Sequence, residues 1–79
     1  MKIKDIESRV KHILEEVSGK KDFKSNDLLK EKIGLDSLSI VSVIVGLEEE
    51  FQVEFDDGAL EPAKLRKVSD LIGLVKSAL

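Results

Sequence analysis

The segment from Gly34 to Phe51, GLDSLSIVSVIVGLEEEF, most limits what this chain can become. After Asp36-Ser37 it has the length of a helix, but it carries too many apolar residues for a single buried face. With Ser37 as zero and about 100° per residue, Ile40, Val43, Ile44, Leu47 and Phe51 share an arc of about 240–340°. Leu38, Val41 and Val45 share a second arc of about 40–100°. Ser37 and Glu48 occupy the gap between them, and the small residues Ser39, Ser42 and Gly46 lie on the remaining side beside Glu50. The first arc is the natural core face. The second has two readings: another helix covers it, or it is an exposed apolar patch beside Ser37, ringed by acids, of the kind that docks partners.

The flanking segments are helical as well. Ile3, Ile6, Val10, Ile13, Leu14 and Val17 recur at spacings of three and four, and Ser18-Gly19 is a natural stop because glycine readily takes the left-handed C-terminal conformation. The polar connection KKDFKSNDLLKEKIG is longer than a typical helix–helix loop. Phe23, Leu28, Leu29, Ile33 and Leu35 are expected to pin it to the core. After Phe51, Val53 and Phe55 give a weak strand-like alternation ending in Asp56-Asp57-Gly58. Ala59 to Leu65 reads as a short helical turn, with Pro62 tolerated only in its first turn or as its terminator. Ser69-Asp70 is a good cap pair for a last helix carrying Leu71, Ile72, Leu74, Val75 and Leu79. The expected class is all-α, with three longer helices, one short one and a long first connection, in one domain over residues 1–79.

Composition excludes several functions. A chain of 79 residues buries only about 60–65% of its unfolded surface and has a stability on the order of 5 kcal/mol. It contains no cysteine, hence no disulfide framework and no thiolate metal site. Charges enter the N-terminus too early for a secretory signal, and no apolar run approaches the ~20 residues of a membrane span. A cytoplasmic protein without membrane insertion is expected. Three phenylalanines, no Trp or Tyr, and a net charge of −3 argue against nucleic-acid binding, which needs stacking rings on a basic surface. The charge is uneven: residues 33–63 contain no Lys or Arg but eight acids. Attraction to basic partner surfaces and plain solvation of an acidic face both account for this.

Ser37 has three possible roles. A serine at a helix start is commonly a cap. A nucleophile would need a general base, but His12 on the first helix is the only histidine and the G-x-S-x-G elbow is absent. Zinc spacing, an EF-hand loop and a phosphate-binding glycine loop are also missing. The third role is a covalent attachment point, where a phosphate ester would meet the free amides and positive dipole end of the helix. An arm leaving there would emerge beside Leu38, Val41 and Val45.

Gly34-Leu35-Asp36-Ser37-Leu38, followed by Val41, Leu47, Glu48-Glu49-Glu50-Phe51 and a valine-then-acid step into the last helix, resembles the acyl carrier proteins over essentially the whole chain. The resemblance implies a four-helix bundle with a short third helix. It implies that Ser37 carries 4'-phosphopantetheine, delivered from coenzyme A by a separate magnesium-dependent phosphopantetheinyl transferase, and that the arm's thiol holds acyl groups as thioesters. Such a carrier is not an enzyme; it presents intermediates to acyl-transferring and synthase enzymes of fatty acid, lipid or polyketide-type synthesis, and is expected to be a monomer. Asp36 would serve transferase recognition, with helix capping as the alternative. Leu38, Val41, Val45 and Glu48 match the family's docking face toward basic and apolar partner surfaces. The core arc, with Val53, Phe55 and Leu65, would line the space that shelters an acyl chain.

The chain departs from the family pattern at several positions. Ser39 and Ser42 stand where carriers of primary fatty acid synthesis commonly have acids, and Gly46 stands where alanine is usual. The connection from Phe51 to Val68 is slightly long, and Lys64, Arg66 and Lys67 form a basic cluster before the last helix. A specialised carrier is therefore weighed equally with a housekeeping one. An aminoacyl or peptidyl carrier, and a helical adaptor without an arm, are the alternatives.

Overall fold

Three helices occur in the computed structural model, which describes residues 2–56 and 64–79, the Ile3 side chain aside: α1 (Ile3–Ser18), α2 (Ser37–Phe51) and α3 (Val68–Ala78). No strand occurs among the described residues. The expected short helical turn, Ala59 to Leu65, lies mostly within residues 57–63, outside the described residues.

α1 forms where the three-and-four spacing predicts it. Ile6, Val10, Ile13 and Leu14 are buried, and Val17 packs partly against them. The helix stops at Gly19, whose φ of +74° turns the chain and lets its amide donate to the Glu15 carbonyl at 2.8 Å. α1 packs against both α2 and α3 and is thus the helix shared by both neighbours. Of the two readings of the second arc of α2, cover by another helix would make α2 the central one. Only its first arc packs into the core: Val43, Ile44, Leu47 and Phe51 are buried and Ile40 is half-buried.

Gly46 explains how α1 comes so close. A Cβ at this position would lie 3.2 Å from Ile13 Cγ2, tighter than ordinary contact. The glycine admits the neighbouring helix, at a cost in helix propensity of about 1 kcal/mol relative to alanine.

The long first connection is ordered, as its apolar residues predict. Phe23, Leu29, Ile33 and Leu35 are buried. Their backbone is held at both ends. Leu28 and Lys67 form an isolated antiparallel bridge, with the Leu29 amide donating to Arg66 O at 2.8 Å and the Val68 amide to Asp27 O at 3.1 Å. Closely spaced turn bonds follow, from Lys32 and Ile33 to Leu28 O, Gly34 to Lys30 O, and Leu35 to Leu29 O. The connection is therefore stapled to the start of α3 and delivers Ser37 from a fixed base.

α3 begins at Val68, one residue before the expected cap pair. Asp70 lies in its first turn and reaches back, its Oδ2 accepting from the Arg66 amide at 2.9 Å and the Lys67 amide at 3.0 Å. The Ser69 amide is drawn instead to Ser25 O at 2.8 Å. Val68, Leu71, Ile72 and Val75 complete the core. Val53 and Phe55 form no strand but pack half-buried against it. Among the described residues no polar side chain is buried, so hydrophobic burial dominates the cohesion of the bundle.

Candidate functional site

The local sequence places Ser37 on the surface in three steps. Gly34 has φ +84°, a left-handed conformation that side chains resist, and the Lys20 ammonium lies 3.3 Å from where a Cβ would stand. Leu35 then anchors the chain, only 4% exposed. Asp36 is extended, with φ −91° and ψ −177°, and caps α2: its Oδ1 accepts from the Ser39 amide at 2.8 Å, while its carbonyl accepts from the Ile40 amide at 2.9 Å. The Ser39 amide, foremost among these causes, holds the Asp36 carboxyl below its ordinary range by bonding the ionised form. With Asp36 as cap, Ser37 becomes the first residue of the helix. Its side chain is exposed and makes no hydrogen bond among the described residues. The cap is therefore the aspartate, and the serine hydroxyl is left available.

Beside Ser37 runs a groove of about 300 Å³, lined by Ser37, Ile40, Val41, Ile44, Val45, Glu48, Leu65 and Lys30. It unites Ser37 with Val41, Val45 and Glu48 of the expected docking face and with Leu65 of the expected acyl shelter. Val53 and Phe55 do not line it. The second arc of α2 is open: Leu38 is 79% exposed, Val41 58% and Val45 47%. Asp36 and Leu38 lie outside the groove, one as cap and the other facing solvent.

The three glutamates separate. Glu48 is half-buried and its Oε2 accepts from the Phe55 amide at 3.1 Å, fastening the chain that leaves α2. Glu50 pairs with Arg9 at 3.5 Å, and the Arg9 guanidinium also stands 5.8 Å from the Phe51 ring centre. Glu49 borders a different groove with His12, Glu16 and Gly46. His12 pairs there with Glu16 at 2.6 Å, and Ser37 does not line that groove. Among the described residues no group of three His, Asp or Glu side chains could hold a metal ion.

Lys30 also lines the groove. It belongs to no motif, and it lines the groove with α2 residues that lie several positions away in sequence and with Leu65. No local signal marks it.

These features suit a covalently held, phosphate-linked arm: a free hydroxyl at a capped helix start, an adjoining apolar groove and one cation on its lining. A protein-family model described as "Phosphopantetheine attachment site" matches residues 8–75, a span that includes Ser37 and all of α2. Two acyl carrier proteins of Rickettsia bellii, from strains RML369-C and OSU 85-389, are 32% and 38% identical over 77 residues. Each alignment covers 95% of this chain, and 87% and 93% of the respective relative. The crystal structure of an acyl carrier protein from Thermotoga maritima superposes with a TM-score of 0.80 at 29% identity, covering 99% of this chain and 91% of that one. The matches assign 4'-phosphopantetheine as the prosthetic group. Because they run through nearly the whole chain and share its helical fold, the chain belongs to the acyl carrier protein family.

Proposed function

We propose that this chain is a non-catalytic, cytoplasmic acyl carrier in which Ser37 bears the 4'-phosphopantetheine arm. In this reading residues 1–79 act as one monomeric domain, and a short helix near Ala59–Leu65 completes a four-helix bundle. When bound, the group supplies a terminal thiol that holds acyl groups as thioesters. Ser37 offers its hydroxyl for the ester bond. The dipole and free amides at the start of α2 favour the negative charge placed there. Asp36 holds that helix start in shape and presents its carboxylate to the phosphopantetheinyl transferase. Ile40, Ile44 and Leu65 give apolar cargo a dry surface. Leu38, Val41 and Val45 present the apolar contact to acyl-transferring and synthase enzymes, with Glu48 at its edge.

One observation carries this reading: Ser37 is exposed and unbonded on the lining of an apolar groove, while Asp36 does the capping. The test is mass spectrometry after incubation with coenzyme A, magnesium and a promiscuous phosphopantetheinyl transferase. Wild type gains the mass of one arm and Ser37→Ala gains nothing; an equal gain on both would sink the assignment. Val41→Asp folds normally, because Val41 is mostly exposed, but transfers acyl groups to partner enzymes at least tenfold more slowly.

A specialised carrier is favoured by the charge on α2. From Ser37 to Leu47 the helix has no charged residue. Ser42 spends its hydroxyl on the Leu38 carbonyl at 3.3 Å. Glu48 and Glu50 are engaged within the chain. The docking side therefore relies on apolar contact more than on attraction to basic surfaces, and exposed ion pairs would add little in any case, about 0–1 kcal/mol each.

A further inference from the structure

We propose that Lys30 holds the ester phosphate on Ser37, acting as a positioning residue that draws the arm toward the groove. The inference rests on Ser37 being the attachment point. Lys30 and Ser37 line one groove, and Lys30 is the only cation among its described lining residues. The other charged lining residue, Glu48, is committed to the Phe55 amide. Among the described residues no carboxylate pairs with Lys30; the ion pairs there are Arg9–Glu50 and His12–Glu16. The base of the side chain is fixed, because the Lys30 carbonyl accepts from the Gly34 amide at 3.1 Å and its neighbour Leu29 is fully buried.

Charge favours such a partner at this place. A phosphodiester on Ser37 adds one negative charge next to the ionised Asp36, whose carboxylate is already bonded to the Ser39 amide. Free amides at the helix start offset part of that repulsion. An ammonium on the lining of the same groove offsets a further part, and it acts from the groove side. The first atoms of the arm are then pulled over Ile40 and Leu65 instead of outward into solvent. This biases the cargo toward the apolar lining before any partner binds.

The experiment compares the apo protein with the arm-loaded protein, loading being established by mass. The Lys30 side chain is followed by NMR at fixed pH through its labelled Cε. In the loaded protein that resonance moves and relaxes as a restrained group, as for an ammonium paired with the phosphate. The change disappears near 1 M salt, where screening acts over about 3 Å. Asp36 and Glu48 are present in both states and cancel. The phosphorus resonance of the loaded protein supplies a second readout: it relaxes as a restrained group in wild type and Lys30→Arg, and as a freer one in Lys30→Gln. Full loading with an unmoved Lys30 and identical phosphorus relaxation in all three proteins overturns the Lys30 role alone. Failure to load Ser37 overturns both this role and the carrier reading.

Discussion

Asp36 carries two roles that single substitutions can separate. Its bond to the Ser39 amide stabilises the ionised carboxylate, so the folded-state pKa lies below the unfolded one. A lowered carboxyl pKa contributes stability that is present above the unfolded value and lost as pH falls through the folded one. Asp36→Ala is therefore expected to lower the urea midpoint at about pH 7, and to lower it less as pH falls through the folded-state value, where wild type loses the charge-dependent part of the cap. Asp36→Asn keeps a good capping side chain without the charge. If the carboxylate is read by the transferase, Asp36→Asn slows arm transfer while costing less stability than Asp36→Ala; normal transfer would leave capping as its sole role. The cap was legible from the sequence because Asp-Ser before an apolar run has few alternatives. That the aspartate rather than the serine takes the cap was decided by the extended backbone at Asp36.

At the scale of the element, the telling contact is between α1 and α2. Alanine at Gly46 gains helix propensity of about 1 kcal/mol. The added methyl would meet Ile13 Cγ2 at 3.2 Å. Ile13 is β-branched and has one preferred rotamer in a helix, so it yields poorly. Gly46→Ala is thus expected to be neutral or slightly destabilising on its own. Ile13→Leu removes that methyl, and in its background Gly46→Ala recovers about 0.5–1 kcal/mol. A double-mutant cycle by urea unfolding measures the coupling; strict additivity would show that Ile13 is not the obstacle. A glycine inside a helix is visible in the sequence, but which neighbour requires it is a property of the packed pair. The division of α2 into two apolar arcs was readable from 3.6-residue geometry. Which arc would be covered was not, because that depends on where α1 crosses.

For the whole molecule, the first connection matters as much as the helices. Leu29 is fully buried, and its amide is tied to Arg66 O. Leu29→Ala should cost about 2–5 kcal/mol. Against a total on the order of 5 kcal/mol, that leaves a protein close to its unfolding midpoint at 25 °C. Val41→Ala, on the open arc, should stay within about 0.5 kcal/mol of wild type. Chemical unfolding followed by circular dichroism compares the two. A small loss at Leu29 would mean that the connection is dispensable to the fold.

The sequence by itself determined the helical class, the three helices, the apolar pins of the connection and the serine at a helix start. All of these follow from local periodicity and local hydrogen-bond chemistry, which residues a few positions apart can express. Only the tertiary structure decided that α1 is the shared helix and that α3 starts at Val68 with Asp70 reaching back. It also decided that Glu48 and Glu50 are spent inside the chain, and that Lys30 shares a groove with Ser37. The place of α1, the bond from Val68 to Asp27, the Arg9–Glu50 pair and the Lys30 groove depend on segments far apart in sequence meeting in space, while Asp70 and Glu48 bond backbone only three to seven residues away. Burial of apolar surface drives that meeting but is non-directional, so the partners it brings together are set by the packing of the whole chain.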